Sequence, residues 1–308
     1  MQPDEPLVVL HVGMHKTGTS TIQHYLHSHE NELLREQAVY YADAGRTGPT
    51  GKDPSHYMLA WQSVQRYASK FNVRRSDFLW HALKRELAER RPRLAILSSE
   101  FFWPATEAEI AEMRANLGDL RPRIVLYVRN PLGMAVSGYK QGVKIGERWI
   151  DFETYLRQRL YMFDYGAVAD RWSGVFGRDA LRVRVYDRAK DALVDDFAET
   201  AGFKPTRVQA SKSKNVSPPD GVIRLVRGLN LVEHKVLGGR SRLINRARRN
   251  ILRRGTPGAV AYKLADALAR KPLIRDADVA FLRREIGPLQ ERFLADYVPS
   301  EDHPYLRF

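Results

Sequence analysis

The sequence contains no cysteine, and this absence excludes several kinds of chemistry at once. Disulfides, thiolate metal sites, iron–sulfur clusters and a cysteine nucleophile all require the missing thiol. Acidic residues are scarce relative to basic ones, because 36 Asp and Glu stand against 50 Lys and Arg, a formal net charge of +14. This surplus favours an anionic partner, such as a nucleotide, a nucleic acid, an acidic polymer or an acidic lipid surface.

Long hydrophobic runs are missing as well. The first apolar run, residues 7–10, is far too short for a membrane span or a signal peptide, and no basic leader precedes it. We therefore expect a cytoplasmic protein. Hydrophobic residues make up 44% of the 308 and charged residues 28%, which is typical of a globular protein with a substantial core.

Hydrophobic periodicity predicts an α/β fold, because short β-rich runs alternate with helical patterns as in βαβ units of a mainly parallel sheet. The predicted strands are residues 7–12, 39–42, 94–98, 124–128 and 181–186. The predicted helices are residues 19–34, 77–91, 107–117, 131–144, 152–176, 192–201, 222–233, 259–269 and 278–297. We expect one core over residues 1–235, extended within the same domain by a helical, basic segment over residues 236–308.

The turn after the first predicted strand, GMHKTGTST at residues 13–21, is the most informative segment. Such a strand–turn–helix connection aims backbone N–H groups and a helix dipole at one point, which suits a phosphate or sulfate. Gly13 and Gly18 permit a tight turn, and Lys16 adds a positive charge. The hydroxyl donors of the segment are Thr17, Thr19, Ser20 and Thr21. The plain alternative is a glycine-containing turn with a solvent-facing lysine.

This turn departs from the ATPase pattern GxxxxGK[ST], because Lys16 precedes Gly18 and Thr19 stands where that pattern has its lysine. The strand at residues 124–128 also ends in Arg129 rather than in an acidic Mg²⁺ ligand. A nucleotide kinase or another NTPase is nevertheless the nearest alternative function. A nucleic-acid-binding protein is a further alternative, but no recognised nucleic-acid module accompanies the positive charge, so we expect no such partner.

A second basic turn lies in the segment YVRNPLGMAVSGYKQ at residues 127–141. The strand delivers Arg129 to its C-terminal edge, Pro131 suits the first turn of a helix, and Ser137 lies about two turns further on. An arginine fork and a hydroxyl at this edge would form a second phosphate site. The alternative for Arg129 is a structural salt bridge.

Together the two turns resemble the sulfotransferase family that uses 3′-phosphoadenosine-5′-phosphosulfate (PAPS), in particular bacterial members related to carbohydrate sulfotransferases. The resemblance implies a P-loop-kinase-like parallel sheet flanked by helices. It also implies metal-independent transfer of a sulfuryl group from PAPS to a hydroxyl of a carbohydrate or glycoconjugate, such as a glycan or glycolipid. It assigns the 3′-phosphate to Arg129 and Ser137. It assigns the 5′-phosphosulfate to Lys16, Thr17, Gly18, Thr19, Ser20 and Thr21.

Sulfuryl transfer places growing negative charge on the leaving phosphate oxygen, and Lys16 is positioned to stabilise it. The acceptor hydroxyl also needs a general base. Glu100 is the first candidate, because it follows the strand at residues 94–98 at the edge where ligands gather. His56, in a long loop, is the second, and the remaining alternatives are His15 or no side-chain base. The alternatives are an N-cap or salt-bridge carboxylate for Glu100 and a surface histidine for His56.

Several other polar residues indicate no site of their own. The histidines at positions 24, 27 and 29 lack the spacing of a metal set, so no metal site is predicted. Asn215 and Ser217 could cover the nucleotide, but a role as polar turn residues next to prolines explains them nearly as well.

The stretch from Lys235 to Lys263 carries nine Lys and Arg and no Asp or Glu. Apolar residues recur among its arginines at helical spacing, which predicts a helix with one apolar side and a cationic remainder. These apolar residues are Leu243, Ile244, Ala247 and Ile251. Such a helix either packs on the domain through that side or contacts an anionic acceptor or an acidic membrane surface.

Overall fold

A computed structural model describes residues 6–48, 51–206, 218–239, 241–252 and 272–308. The chain divides into two compact units. The first unit comprises Met1–Asn130, Tyr165–Gln209 and Leu289–Arg307. The second comprises Pro131–Asp164, Ala210–Pro288 and Phe308. The expected boundary between residues 235 and 236 stays a prediction.

A five-stranded sheet lies at the centre of the first unit, in the order β2-β5-β1-β6-β7, and a separate two-stranded pair is formed by β3 and β4. The strands are β1 (Leu7–Val12), β2 (Val39–Tyr41), β3 (Thr47–Gly48), β4 (Gly51–Lys52), β5 (Leu94–Ser99), β6 (Arg121–Val128) and β7 (Leu181–Val185). All neighbouring strands of the large sheet are parallel. The predicted α/β class and the five predicted strands of this sheet are therefore confirmed.

The helices begin with α1 (Thr19–Ser28), α2 (Glu30–Gln37), α3 (Tyr57–Ser63), α4 (Gln65–Phe71), α5 (Phe78–Arg90), α6 (Glu107–Leu117), α7 (Pro131–Lys144) and α8 (Phe152–Arg159). They continue with α9 (Tyr165–Phe176), α10 (Tyr186–Ala189), α11 (Leu193–Ala201), α12 (Asp220–Lys235), α13 (Arg242–Leu252), α14 (Asp276–Tyr297) and α15 (His303–Leu306). Within the described ranges, none of these helices is both long enough and apolar enough to span a membrane.

Consecutive side chains of β1 are buried on both faces of the sheet, because parallel sheets are covered by helices on each side. Val8, Val9 and Leu10 are all fully buried. Val9 belongs to a cluster that also contains Ile22 of α1 and Phe197 of α11. This packing fixes the start of α1 against the end of β1.

Two predicted helices are interrupted in the structure, so both were wrong as single helices. Where a helix over residues 19–34 was predicted, α1 ends at Ser28. The His29 ring nitrogen Nδ1 lies 2.9 Å from the carbonyl oxygen of Tyr25 and gives this carbonyl of the last turn a hydrogen-bond partner. The predicted helix over residues 152–176 is split into α8 and α9, because the chain passes from the second unit to the first between Asp164 and Tyr165. Helix α3 begins within the segment, residues 45–61, where the sequence indicated a loop, and α4 was not predicted. The predicted helix over residues 259–269 lies outside the described residues.

Helix α13 of the second unit does not present its arginines as the sequence predicts. Arg248 is buried, and its Nη1 donates hydrogen bonds to Asn230 Oδ1 at 2.8 Å and to Glu233 Oε2 at 3.1 Å. Leu243, assigned to the apolar side, is 79% exposed. A buried carboxylate on α12 needs a paired cation, and this requirement draws an arginine inward.

Candidate functional site

The order of the sheet brings three sequence segments together at one edge of the first unit. Strand β1 lies between β5 and β6, and the carboxyl ends of parallel neighbours meet at the same edge. The loop at residues 13–18 follows β1, Glu100 follows β5, and Arg129 follows β6. Candidates predicted separately along the chain are therefore neighbours in the fold.

The loop after β1 has a backbone that only glycine accommodates at two points. A Cβ on Gly13 would collide with the Thr19 side chain, and one on Gly18 would collide with Leu193. Gly18 also has φ of 78°, and Lys16 adopts φ of 67° although it is not glycine. Left-handed backbone at a lysine costs free energy, and such strain often accompanies a functional loop.

The four hydroxyl residues of this loop divide into a buried pair and an exposed pair. The buried Thr17 donates its hydroxyl to the carbonyl oxygen of Met14 at 2.7 Å, and its Oγ1 lies 3.5 Å from that of Thr19. Ser20 and Thr21 are exposed in the first turn of α1. We infer that the first pair holds the shape of the loop and that the second pair is accessible to a ligand.

The N-terminus of α1 has the character of an anion-binding helix end. Its N-cap residue, Gly18, supplies no side chain to its first N–H groups, and no acidic residue lies in its first turn. Uncapped N–H groups and the positive end of the helix dipole favour a bound anion. The half-buried Lys16 lies in the loop, two residues before the N-cap Gly18.

Arg129 joins the second basic turn to the first. Its Nη1 donates a hydrogen bond to the carbonyl oxygen of Lys16 at 3.2 Å, 113 residues away in sequence. Its Nε lies 3.5 Å from Asp187 Oδ1, and its guanidinium lies 5.1 Å from the centre of the Tyr186 ring. Arg129 therefore forms the structural ion pair of the alternative interpretation, and its binding of a 3′-phosphate stays a prediction.

Three further residues were expected to contact the nucleotide: Ser137, Asn215 and Ser217. Ser137 is half-buried on α7 in the second unit, so its pairing with Arg129 stays a prediction. Asn215 and Ser217 lie outside the described residues.

Glu100 pairs with His15 of the loop, a contact that the sequence analysis did not anticipate. His15 Nδ1 lies 3.3 Å from Glu100 Oε2, and the two side chains are 32% and 37% exposed. Burial alone would raise the pKa of Glu100, but the hydrogen bond from His15 and the charges of His15 and Lys16 hold it below its ordinary value. Glu100 is therefore an ionised carboxylate at neutral pH, open to solvent on part of its surface.

His56 is fully buried, so the interpretation as a surface histidine is wrong. Its Nε2 donates to the carbonyl oxygen of Ala42 at 2.8 Å, and its Nδ1 accepts from the backbone N–H of Ser98 at 3.1 Å. Burial, aided by the charge of Arg46, lowers the pKa of His56 to about 3. Because both ring nitrogens are hydrogen-bonded, His56 connects β5 to the loop after β2. Its assignment as the general base stays a prediction, and burial of the ring disfavours it.

Burial of two histidines predicts a loss of stability in acid. Burial also lowers the pKa of His11 to about 3, whereas both histidines have an ordinary value of 6.5 in the unfolded chain. Between these values only the unfolded chain binds the protons, so the free energy of unfolding should fall as pH falls from 6.5 toward 3. The expected slope is up to about 1.4 kcal/mol per pH unit for each histidine.

Urea unfolding at neutral pH and at about pH 5 measures this slope for the wild type and for His56→Gln. The variant should be less stable at neutral pH, because hydrogen bonds are lost, but its stability should change less with pH. Equal slopes in the two proteins would show that His56 is not held neutral.

A cleft of about 610 Å³ beside Glu100 was missed by the sequence analysis. The cleft is lined by Ser20 of α1, by Tyr57 and Trp61 of α3, and by Asp53 of the loop before α3. The spacing of Tyr57 and Trp61, four residues apart, was the available signal, since it places two aromatic rings on one side of a helix. Within the described ranges, no three His, Asp or Glu side chains come together as a possible metal site.

No family model and no curated protein matches this chain. Solved structures that match include a sulfotransferase from Alicyclobacillus acidocaldarius, at 17% sequence identity and a TM-score of 0.43. The match covers 78% of this chain and 98% of that chain. At this identity and TM-score, the likeness establishes neither the fold family nor the function.

Proposed function

We propose that this protein is a cytoplasmic sulfotransferase that moves a sulfuryl group from PAPS to a hydroxyl of a carbohydrate or glycoconjugate. One observation carries the proposal: adjacent parallel strands bring an anion-binding turn with Lys16, an arginine beside that turn and an ionised carboxylate to one sheet edge. A donor with an anionic group at its 5′ and its 3′ end, together with a hydroxyl acceptor, calls for these three kinds of group.

The residues of the loop fit the anionic end of such a donor. Lys16, the first-turn N–H groups of α1 and the exposed hydroxyls of Ser20 and Thr21 can bind the 5′-phosphosulfate. Arg129 would bind the 3′-phosphate, with Ser137 as its proposed partner. PAPS supplies an activated sulfate whose S–O bond to phosphate breaks as the bond to the acceptor oxygen forms. Glu100 takes the proton of the acceptor hydroxyl, while Lys16 stabilises the charge left on the phosphate.

The strand order β2-β5-β1-β6-β7, with the loop directly after the central β1, supports a P-loop-kinase-like assignment of the fold. The kinase alternative is less favoured, because Thr19 stands in place of the lysine of the ATPase pattern. We propose that no metal takes part.

A transfer assay tests the function directly. Purified protein is incubated with PAPS labelled in its sulfate, together with fractionated glycan and glycolipid extracts, with and without a metal chelator. We expect labelled sulfate in an acceptor fraction and equal transfer in the chelator. Phosphate transfer from ATP that depends on Mg²⁺, without sulfate transfer from PAPS, would instead establish the kinase alternative.

Arg129 should determine selectivity for the 3′-phosphate. We expect the wild type to bind adenosine 3′,5′-bisphosphate more tightly than adenosine 5′-monophosphate, and Arg129→Ala to lose most of this preference. Charge-assisted hydrogen bonds contribute about 1.5–3 kcal/mol, so the preference should fall by roughly 10-fold to 10²-fold. Titration calorimetry with both nucleotides measures it.

Arg35→Ala is the matched control for this experiment, because Arg35 is exposed on α2 and pairs only with its neighbour Glu36 within the described residues. Melting temperatures show whether loss of the Asp187 ion pair unfolds the Arg129 variant. Equal affinity of the wild type for both nucleotides would contradict the assignment.

We propose that α13 contacts an anionic membrane surface. Arg242, Arg246 and Arg249 are exposed on this helix, as is Leu243. Each arginine near such a surface contributes about 1 kcal/mol, so replacing all three by Gln should weaken binding to phosphatidylserine vesicles by ~10-fold or more at low salt. Vesicle sedimentation measures it, and Arg248 is left intact because it is buried. Equal sedimentation of the wild type and the triple variant with the vesicles would show that α13 has only a structural role.

A further inference from the structure

The cleft beside Glu100 has a chemical character that differs from the rest of this basic protein. It measures about 610 Å³, within the usual range for small-molecule sites. Glu100 and Ser20 line it, so it opens at the proposed reaction centre. All of its lining residues belong to the first unit. A molecule in this cleft would therefore meet the carboxylate that takes the acceptor proton.

Aromatic side chains give the cleft a rigid apolar wall. The rings of Tyr57 and Trp61 lie 4.7 Å apart, and Phe101 lies 5.7 Å from Trp61. Phe71 stacks on Trp61 at 4.0 Å, so the indole is fixed from behind the wall. Fixed aromatic rings bind flat apolar faces with little loss of side-chain entropy, and they also attract cations.

The charged groups that line the cleft are both acidic. They are Asp53 and Glu100, and no lysine or arginine lines it. Asp53 Oδ1 accepts a hydrogen bond from the backbone N–H of Ser55 at 2.8 Å, and Asp53 forms no ion pair within the described part of the chain. Glu100 already pairs with His15, so Asp53 is the carboxylate that repels an anionic guest and attracts a cationic one.

We infer that the acceptor is a sugar ring that carries an amine or no charge, and that the cleft rejects sugars bearing a carboxylate. This inference rests on the proposed function, because it treats the cleft as the acceptor site. The apolar wall takes the C–H face of the ring, Asp53 lies where an ammonium can pair with it, and Glu100 meets the reacting hydroxyl. The positive charge of the whole protein would have suggested the opposite preference.

Three matched probes test the ligand class: methyl glucoside, methyl glucosaminide and methyl glucuronide, which share a ring and differ in charge. Saturation-transfer NMR measures their binding to the whole protein, with and without adenosine 3′,5′-bisphosphate. We expect the glucosaminide to bind at least ~10-fold more tightly than the glucuronide, with the glucoside between them. Glucuronide binding equal to or tighter than glucosaminide binding, or no binding by any probe, would overturn the inference.

Asp53→Asn tests the origin of the preference, because the carboxamide keeps an oxygen for Ser55 while it removes the charge. The ratio of glucosaminide to glucuronide affinity should fall by ~3-fold or more, and Asp119→Asn, an exposed turn variant, should leave it unchanged. An unchanged ratio in Asp53→Asn would also overturn the inference. Sulfate transfer to the same probes is measured separately. If the probes bind with the expected selectivity but receive no sulfate, the proposed function is contradicted and the inferred ligand class is still supported.

Discussion

Lys16→Ala should lower the turnover of sulfate transfer by ~10² or more while the fold remains intact. Lys16 lies in the loop that leads into α1, and under the proposed function the negative charge on the leaving phosphate oxygen increases in the transition state. Its removal should therefore act mainly on kcat and less on nucleotide affinity. Steady-state kinetics with saturating PAPS, together with thermal unfolding, measure the two effects separately.

The backbone at this position offers a second variant that separates charge from strain. Lys16 has φ of 67°, a conformation that glycine adopts without cost. Lys16→Gly should lose as much activity as Lys16→Ala without being less stable than the alanine variant. Lys84→Ala, at an exposed position of α5, is the control and should keep full activity. A Lys16 variant with wild-type turnover would show that the first loop does not bind the transferred group.

Glu100→Gln should abolish transfer, by ~10² to 10⁴ in kcat, and leave nucleotide binding unchanged. The carboxamide is nearly the same shape but cannot take the proton. Because His15 and Lys16 hold the pKa of Glu100 below its ordinary value, the carboxylate should stay ionised as pH falls to about 5. If activity falls as the solution is acidified but the pH is still above about 5, protonation of a group other than Glu100 must cause the loss. Glu89→Gln, at an exposed position of α5, is the matched control.

His15→Asn distinguishes the two members of the pair. If Glu100 is the base, removal of His15 should reduce turnover less than Glu100→Gln does, since His15 only orients the carboxylate and lowers its pKa. A larger loss in His15→Asn would make the histidine the proton acceptor and Glu100 its partner. Both variants should bind adenosine 3′,5′-bisphosphate with wild-type affinity.

Some elements could be predicted closely because their signals are local. Helices α6 and α7 begin and end at the predicted residues, and α6 begins at a capping box formed by Thr106 and Glu109, a signal contained in four consecutive residues. The break at His29 was missed, because it depends on a side chain returning to a carbonyl of its own helix. Helix α3 was missed because the glycines and prolines before it indicated a loop.

The sequence by itself determined three of the charged residues that lie at the candidate site. Strand periodicity and the turns that follow the strands were sufficient to place Lys16, Glu100 and Arg129 at one sheet edge, since parallel strands in a βαβ fold share their carboxyl ends. The tertiary structure alone decided the partner of each charged group. It paired Glu100 with His15 and Arg129 with Asp187, and it buried His56 between two backbone segments. Periodicity reports whether a side chain is buried, but pKa values and roles depend on contacts between residues far apart in the chain, which no local pattern contains.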